Sequence, residues 1–298
     1  MADAETPRDL LALLAGARPQ IAHALELAAP LAAGGLAQRP DSAATLVEVL
    51  EWHAARHPER THVLLYDDEQ AEPYTYAQLL TDARAIASGL VARGLAPQQT
   101  VALMLPTGKD YLASFFGVLL AGAVPVPIYP PVRASQIEEH LRRHARILAN
   151  AGCVMLVTLR EAKAVAGLLR AQVDGLREVL TVRDLAGASV DILYRGRAED
   201  LAFLQYTSGS TGDPKGVMLT HANLLANIRA IVSAAAVSAD DVCVSWLPLY
   251  HDMGLIGAWL CSLYCGVPLV LMSPLAFLAR PLRWLQAIHR YRGTVTAA

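Results

Sequence analysis

Charge is scarce in this chain. Only 17% of its 298 residues are Asp, Glu, Lys or Arg, against roughly 25% in an average domain. Most of the chain must therefore be buried, and extended disorder is not expected away from the ends. A net charge of −2 gives no electrostatic reason to expect nucleic acid or an anionic membrane surface as partner. Lysine is rarer still: Lys109, Lys163 and Lys215 are the only ones, and the other basic residues are arginines. Together with abundant alanine this reads as GC-rich codon bias. No function is assigned to the arginines as a class, but each lysine stands out. The four cysteines, Cys153, Cys243, Cys261 and Cys265, fit no zinc-ligand spacing. They sit in apolar runs and read as reduced core thiols. With no secretory signal, they lead us to expect a cytoplasmic protein. Internal repeats, heptads and low-complexity tracts are also missing.

Two stretches lack charge and are long enough by count to span a bilayer, Tyr111 to Val132 and Met253 to Ala279. Pro125, Pro127, Pro130 and Pro131 crowd the second half of the first. Gly266, Pro268 and Pro274 divide the second. A lipid-exposed helix could not satisfy the backbone groups that so many breaks leave free. No stable membrane span is expected. The pattern instead predicts helix Lys109–Ala121, strand Val124–Pro127, a helix near Leu255–Tyr264 and strand Leu269–Met272.

Residues 1–44 are rich in Ala and Leu, with helical patterning at Leu10–Leu14 and Ile21–Ala28, then a linker at Gly34, Gly35 and Pro40. This leader reads either as a docking helix or as a poorly packed extension. From Thr45 onward the pattern changes. Leu46, Val49, Leu50 and His53 share a helix face. Apolar strands at Val63–Tyr66, Val101–Leu105, Val154–Val157, Glu178–Val182 and Leu201–Tyr206 alternate with helices at Tyr76–Arg93, Ser135–Asn150 and Glu161–Gln172. Strands that read as continuous apolar runs, separated by helices of ten or more residues, predict a layered α/β fold. Its sheets should be largely parallel and flanked by helices. His140 and His144 are expected on a solvated helix face.

One segment concentrates the chemistry: Leu204-Gln-Tyr-Thr-Ser-Gly-Ser-Thr-Gly-Asp-Pro-Lys-Gly216, between an apolar strand and a second strand at Val217–Leu219. Thr207, Ser208, Ser210 and Thr211 supply hydroxyls. Gly209 and Gly212 permit turns that aim backbone N–H groups at an anion. Lys215 adds a mobile positive charge, and Pro214 stiffens the approach to it. Such a loop suits a polyphosphate. It is not a Walker A loop, because Gly216 rather than Ser or Thr follows the lysine. No GxGxxG turn is present either. A second polar constellation, Trp246-Leu-Pro-Leu-Tyr-His-Asp-Met-Gly-Leu-Ile-Gly257, follows strand Val242–Ser245 and opens a helix. His251 and Asp252 stand there among apolar side chains, beyond a strand's carboxyl end, where α/β folds collect ligands. By residue type alone, a lone His-Asp pair is more often a satisfied structural pair than a site.

These segments resemble the adenylate-forming superfamily, which includes acyl-CoA synthetases, luciferases, peptide-synthetase adenylation domains and fatty acyl-AMP ligases. Thr207–Gly216 looks like its phosphate-binding motif. Tyr74-Thr-Tyr-Ala-Gln-Leu79 and Leu119-Leu-Ala-Gly-Ala-Val-Pro-Val-Pro127 look like its earlier elements, in the same order. Pro248-Leu-Tyr-His-Asp-Met-Gly-Leu255 and Val126–Pro131 look most like the fatty acyl-AMP ligases. The resemblance runs from about residue 45 to the last residue. It implies that Thr207, Ser208, Gly209, Ser210, Thr211, Gly212 and Lys215 hold the phosphates of ATP, with Mg2+ as counter-ion. It places catalytic His251 near the acyl carboxylate and α-phosphate. Asp252, Met253 and Gly254 would border the adenylate pocket, and Leu255, Ile256, Trp259 and Leu260 would help line an acyl pocket, a role compatible with ordinary core packing.

The implied reaction converts a fatty acid and ATP to acyl-AMP and pyrophosphate. The acyl group then passes to the phosphopantetheine thiol of an acyl carrier protein, or alternatively to coenzyme A. A different class also remains open, a non-catalytic adenylate-fold binding module. The family's later acidic residues and C-terminal lysine have no counterpart here, and the ending Thr294-Val-Thr-Ala-Ala298 reads as mid-strand. The expectation is an incomplete N-terminal portion of such an enzyme, residues 45–298 after a leader at 1–44, with little adenylation activity by itself. No metal ligand set is identifiable.

Overall fold

The computed structural model describes residues 27–28, 31, 36, 38–67, 70–131, 137–191, 194–207, 214–238 and 240–296. Its first sheet has the strand order β11-β9-β10-β1-β2. The strands are β1 (Thr61–Asp67), β2 (Gln70–Thr75), β9 (Cys243–Ser245), β10 (Leu269–Leu271) and β11 (Val295–Thr296). All neighbours are parallel except β2, which folds back on β1. The second sheet, β4-β3-β5-β6, is parallel throughout. It comprises β3 (Thr100–Met104), β4 (Val124–Pro127), β5 (Cys153–Thr158) and β6 (Glu178–Leu180). A third, two-stranded antiparallel sheet pairs β7 (Leu201–Thr207) with β8 (Lys215–Thr220), and β7 lies beside β4. The two antiparallel pairs have a simple cause. A parallel return needs a crossover of roughly a dozen residues or more, and the chain between β1 and β2, or between β7 and β8, is too short.

The helices are α1 (Leu46–Arg56), α2 (Tyr76–Ala92), α3 (Lys109–Leu120), α4 (Ile137–Ala151), α5 (Lys163–Arg170), α6 (His221–Ala234), α7 (Cys261–Cys265), α8 (Pro274–Ala279) and α9 (Leu282–Tyr291), with a π-helix over Met253–Leu260. Strand pleating sorts the core into layers. Val101 and Leu103 of β3 face the large cluster that holds α2, α3 and the π-helix, whereas Ala102 and Met104 face α4 and α5. Leu269 and Leu271 of β10 join the same large cluster from the first sheet, while Val270 faces Ala287 and Tyr291 of α9. The two sheets therefore enclose a central helical layer and are covered on their outer faces. Helix α3, buried at every position from Tyr111 to Leu120, forms the centre of that layer. A helix apolar on all sides belongs in such a place.

Local chemistry sets the boundaries. Thr45 caps α1, and Leu46, Val49, Leu50 and His53 are its buried residues, the face read from the sequence. The Tyr-Thr-Tyr element starts α2, where Thr75 and Gln78 form a capping box. The Ala-Gly element ends α3, with Gly122 at φ +76° beneath the ring of Tyr194. Pro125 and Pro127 fit β4 because Val124 and Ile128 make the bonds to the β3 side. The missing proline N–H groups therefore cost no ladder bond. Among the described residues no helix is long and apolar enough to cross a membrane.

Three results differ from the sequence reading. The expected helix Leu255–Tyr264 begins earlier, as a π-helix, and becomes α-helical only at Cys261. Helices α6, α8 and α9 are additional to those read from the pattern. His140 and His144 are buried rather than solvated, 7% and 0% exposed, because Tyr129 lies over both rings at 5.1 and 4.6 Å. Their own rings stack at 3.9 Å, and His144 Nδ1–H donates to the His140 carbonyl. The leader's helical patterning at 10–14 and 21–26 lies outside the described residues. Its described remainder is tied to the body. Ala28 N–H donates to Arg290 O, Arg39 donates to Val237 O, and Tyr264 donates to Asp41 Oδ1.

Candidate active site

Of the phosphate-loop candidates, Thr207 ends β7 and Lys215 opens β8. Thr207 pairs with Lys215 in register, so the two described ends of the loop face each other across the ladder. Ser208, Gly209, Ser210, Thr211 and Gly212 lie outside the described residues. The hairpin is built for close packing at its mouth. A Cβ on Gly216 would come within 2.8 Å of the Tyr206 ring opposite it. That ring is fixed by its hydroxyl, which donates to Asn150 Oδ1 at 2.6 Å. Lys215 is exposed. Two of the three lysines are engaged, Lys109 with Glu72 at 2.6 Å and Lys163 with Asp184 at 2.7 Å. Lys215 has no ion-pair partner among the described residues, leaving its ammonium available to an anion.

The His-Asp constellation forms the turn between β9 and the π-helix. His251 N–H donates to Pro248 O, and Leu255 N–H donates to His251 O at 2.8 Å. Asp252 Oδ1 accepts from Met253 N–H at 2.7 Å and lies 2.7 Å from His251 Nδ1. Both side chains are open to solvent, 65% and 60% exposed. An exposed pair contributes at most about 1 kcal/mol, so its consequence is orientation. Nδ1 is occupied by the carboxylate, and Nε2 remains for a ligand. Met253 is half exposed, and Gly254 is buried. A Cβ at Gly254 would fall 2.3 Å from Pro248 O, so only glycine lets the π-helix start against this turn. Wide π-helical turns recur at functional sites.

The two constellations are joined. Gln205, two residues before Thr207, donates from Nε2 to Tyr250 O at 3.0 Å. The preceding carbonyl, Leu249 O, accepts from the Tyr111 hydroxyl at 2.7 Å. The sequence reading missed both residues. Gln205 is a polar residue within an apolar strand, a signal that a buried amide needs a partner. Tyr111 carried no such signal, since its helix is apolar on every side. Trp259, assigned to acyl-pocket lining, is fully buried against Tyr111, Phe115 and Phe116. Leu255 and Leu260 are likewise core residues, and Ile256 is partly buried. Among the described residues no group of three His, Cys, Asp or Glu is placed to hold a metal ion.

Comparison with known proteins matches residues 50–298 to the family model described as AMP-binding enzyme. A medium-chain-fatty-acid–[acyl-carrier-protein] ligase, JamA of Moorena producens, is 33% identical over 261 residues, covering 84% of this chain and 43% of that protein. A solved fatty acyl-adenylate ligase from L. pneumophila, in complex with acyl adenylate and pyrophosphate, matches with a TM-score of 0.76 at 33% identity over 87% of this chain and 45% of its own. A further structure, from a study of fatty acyl-adenylate ligases of E. coli and L. pneumophila, reaches a TM-score of 0.80 at 32% identity over 87% and 47%. The chain thus spans less than half the length of each of these relatives. The layered α/β fold, the hairpin sequence and the family model agree across the same residues, and the chain belongs to the AMP-binding enzyme family.

Proposed function

We propose that this chain carries the phosphate-side and acyl-side elements of a fatty acyl-AMP ligase, residues 45–298 forming that unit and 1–44 an N-terminal extension. The observation that carries the reading is the hydrogen bond from Gln205 to Tyr250 O. It puts the strand leading to the Thr207–Gly216 loop next to the His251 turn, as a reaction between a triphosphate and a carboxylate requires. A fatty-acid carboxylate oxygen attacks the α-phosphorus of ATP, the bond to the β-phosphate oxygen breaks, and pyrophosphate leaves. Lys215 and the loop from Thr207 to Gly212 hold the leaving phosphates. His251, oriented through Asp252, meets the carboxylate or the α-phosphate with Nε2, and Met253 and Gly254 border the adenylate. Catalysis of this kind rests on positioning and charge neutralisation. The described residues build no metal site of their own, so magnesium is assigned to the triphosphate it accompanies.

The acyl group then passes to the phosphopantetheine thiol of an acyl carrier protein. The resemblance to a carrier-protein ligase over 84% of this chain supports that acceptor. The test is fatty-acid-dependent ATP–pyrophosphate exchange by the intact gene product, which K215A should abolish. Exchange that is absent in the wild type, or unaffected by K215A, contradicts the reading. Acyl transfer to holo carrier protein should outpace transfer to coenzyme A, and equal rates would reverse the acceptor assignment.

A further inference from the structure

We infer that Gln205 is a positioning residue for the His251 turn, with Tyr111 as its companion anchor; this rests on the proposed function and extends it to residues outside both motifs. The turn Pro248–Asp252 is exposed at His251 and Asp252, yet it presents two consecutive backbone carbonyls to the interior. Leu249 O is held by the hydroxyl of Tyr111, fully buried on the central helix α3. Tyr250 O is held by the amide of Gln205, 7% exposed on β7. Both donors belong to buried side chains, so neither bond has a ready substitute.

The two anchors come from different layers, and between them they fix the peptide units on which His251 is mounted. Gln205 also stands on the strand that ends at Thr207. Its bond therefore sets the His251 turn relative to the phosphate hairpin. The one hydrogen bond the Gln205 side chain makes among the described residues is this donation from Nε2 to Tyr250 O. A merely space-filling glutamine would be replaceable by methionine, which has similar length and volume but no donor.

The experiment compares Q205M and Y111F with wild type by amide hydrogen exchange on this chain. The amides of His251 and Leu255 should exchange at least tenfold faster in each variant, while those of β3 and β5 keep their wild-type rates. Wild-type rates at His251 and Leu255, or equal acceleration throughout the chain, would overturn the inference. In the intact gene product, Q205M should lower kcat for pyrophosphate exchange about tenfold with KM for ATP nearly unchanged, and an unchanged kcat would also overturn it. If the wild type shows no exchange activity, the functional reading fails, and the amide measurement still decides the positioning role.

Discussion

Trp259 donates its indole N–H to Nε2 of His62 at 3.0 Å, and both side chains are fully buried. The bond links β1 to the π-helix that begins beside His251. It requires a neutral His62 with its proton on Nδ1. Burial, reinforced by the neighbouring charge of His53, supplies that condition by holding the imidazole down at about 3. His62 also stacks on Tyr76, which stacks in turn on His53, at 4.8 and 4.6 Å.

Acid should therefore destabilise the fold well before carboxylates are protonated. Burial lowers His53 and His221 to about 4 and His144 to about 3. The unfolded chain binds protons near 6.5 while the folded chain does not. The stabilisation is complete above that value and is lost as pH falls below it. Each such imidazole costs on the order of 1–2 kcal/mol at pH 5. Denaturant midpoints should drop between pH 7 and pH 5. His62→Gln, which keeps an acceptor for Trp259 and removes the titration, should reduce that drop. A flat profile over this range would contradict the assignment.

Gly254 and Gly257 offer a paired test on one helix. A Cβ at Gly254 meets Pro248 O at 2.3 Å, whereas one at Gly257 meets only Met253 Sδ at 3.8 Å. Gly254→Ala should destabilise by about 1–3 kcal/mol through forced backbone movement. Gly257→Ala should be neutral or slightly stabilising, since alanine is the better helix former. Thermal unfolding of the two variants reads the difference, and equal midpoints would refute it.

Lys215 is exposed at the end of the hairpin loop, so its removal should spare the fold. K215A is expected within about 0.5 kcal/mol of wild type in stability. Binding of pyrophosphate or ATP should weaken tenfold or more. A variant that unfolds, or one that binds as the wild type does, would remove Lys215 from the phosphate site.

The thiols should be inert in the native state. Burial pushes Cys153 and Cys261 up to about 12, and Cys243 and Cys265 up to about 11. A thiol-specific reagent at pH 8 should label none of them in the folded chain and all of them in denaturant. Rapid labelling of any one under native conditions would show that it is not a core thiol.

Much of the architecture was legible because period and breakers report local preference. The strand Val124–Pro127 and the buried face of α1 follow directly from apolar spacing, proline and glycine. The histidines of α4 were misread for a reason of the same kind. Spacing places His140 and His144 on one face, but whether that face meets water depends on Tyr129, which arrives from another element. The π-helix was likewise invisible, since its register depends on a glycine fitting beneath the Pro248 carbonyl.

By itself, the sequence determined the alternation of strands and helices and the candidacy of the Thr207–Gly216 loop and of His251. Each of these depends on residues close together along the chain. Only the tertiary structure decided what lies between them. Gln205 reaches Tyr250, Tyr111 reaches Leu249, and Trp259 reaches His62 across separations of 45, 138 and 197 residues. Hydrogen bonds between buried groups form only where packing brings donor and acceptor within about 3 Å, and no local pattern encodes that meeting.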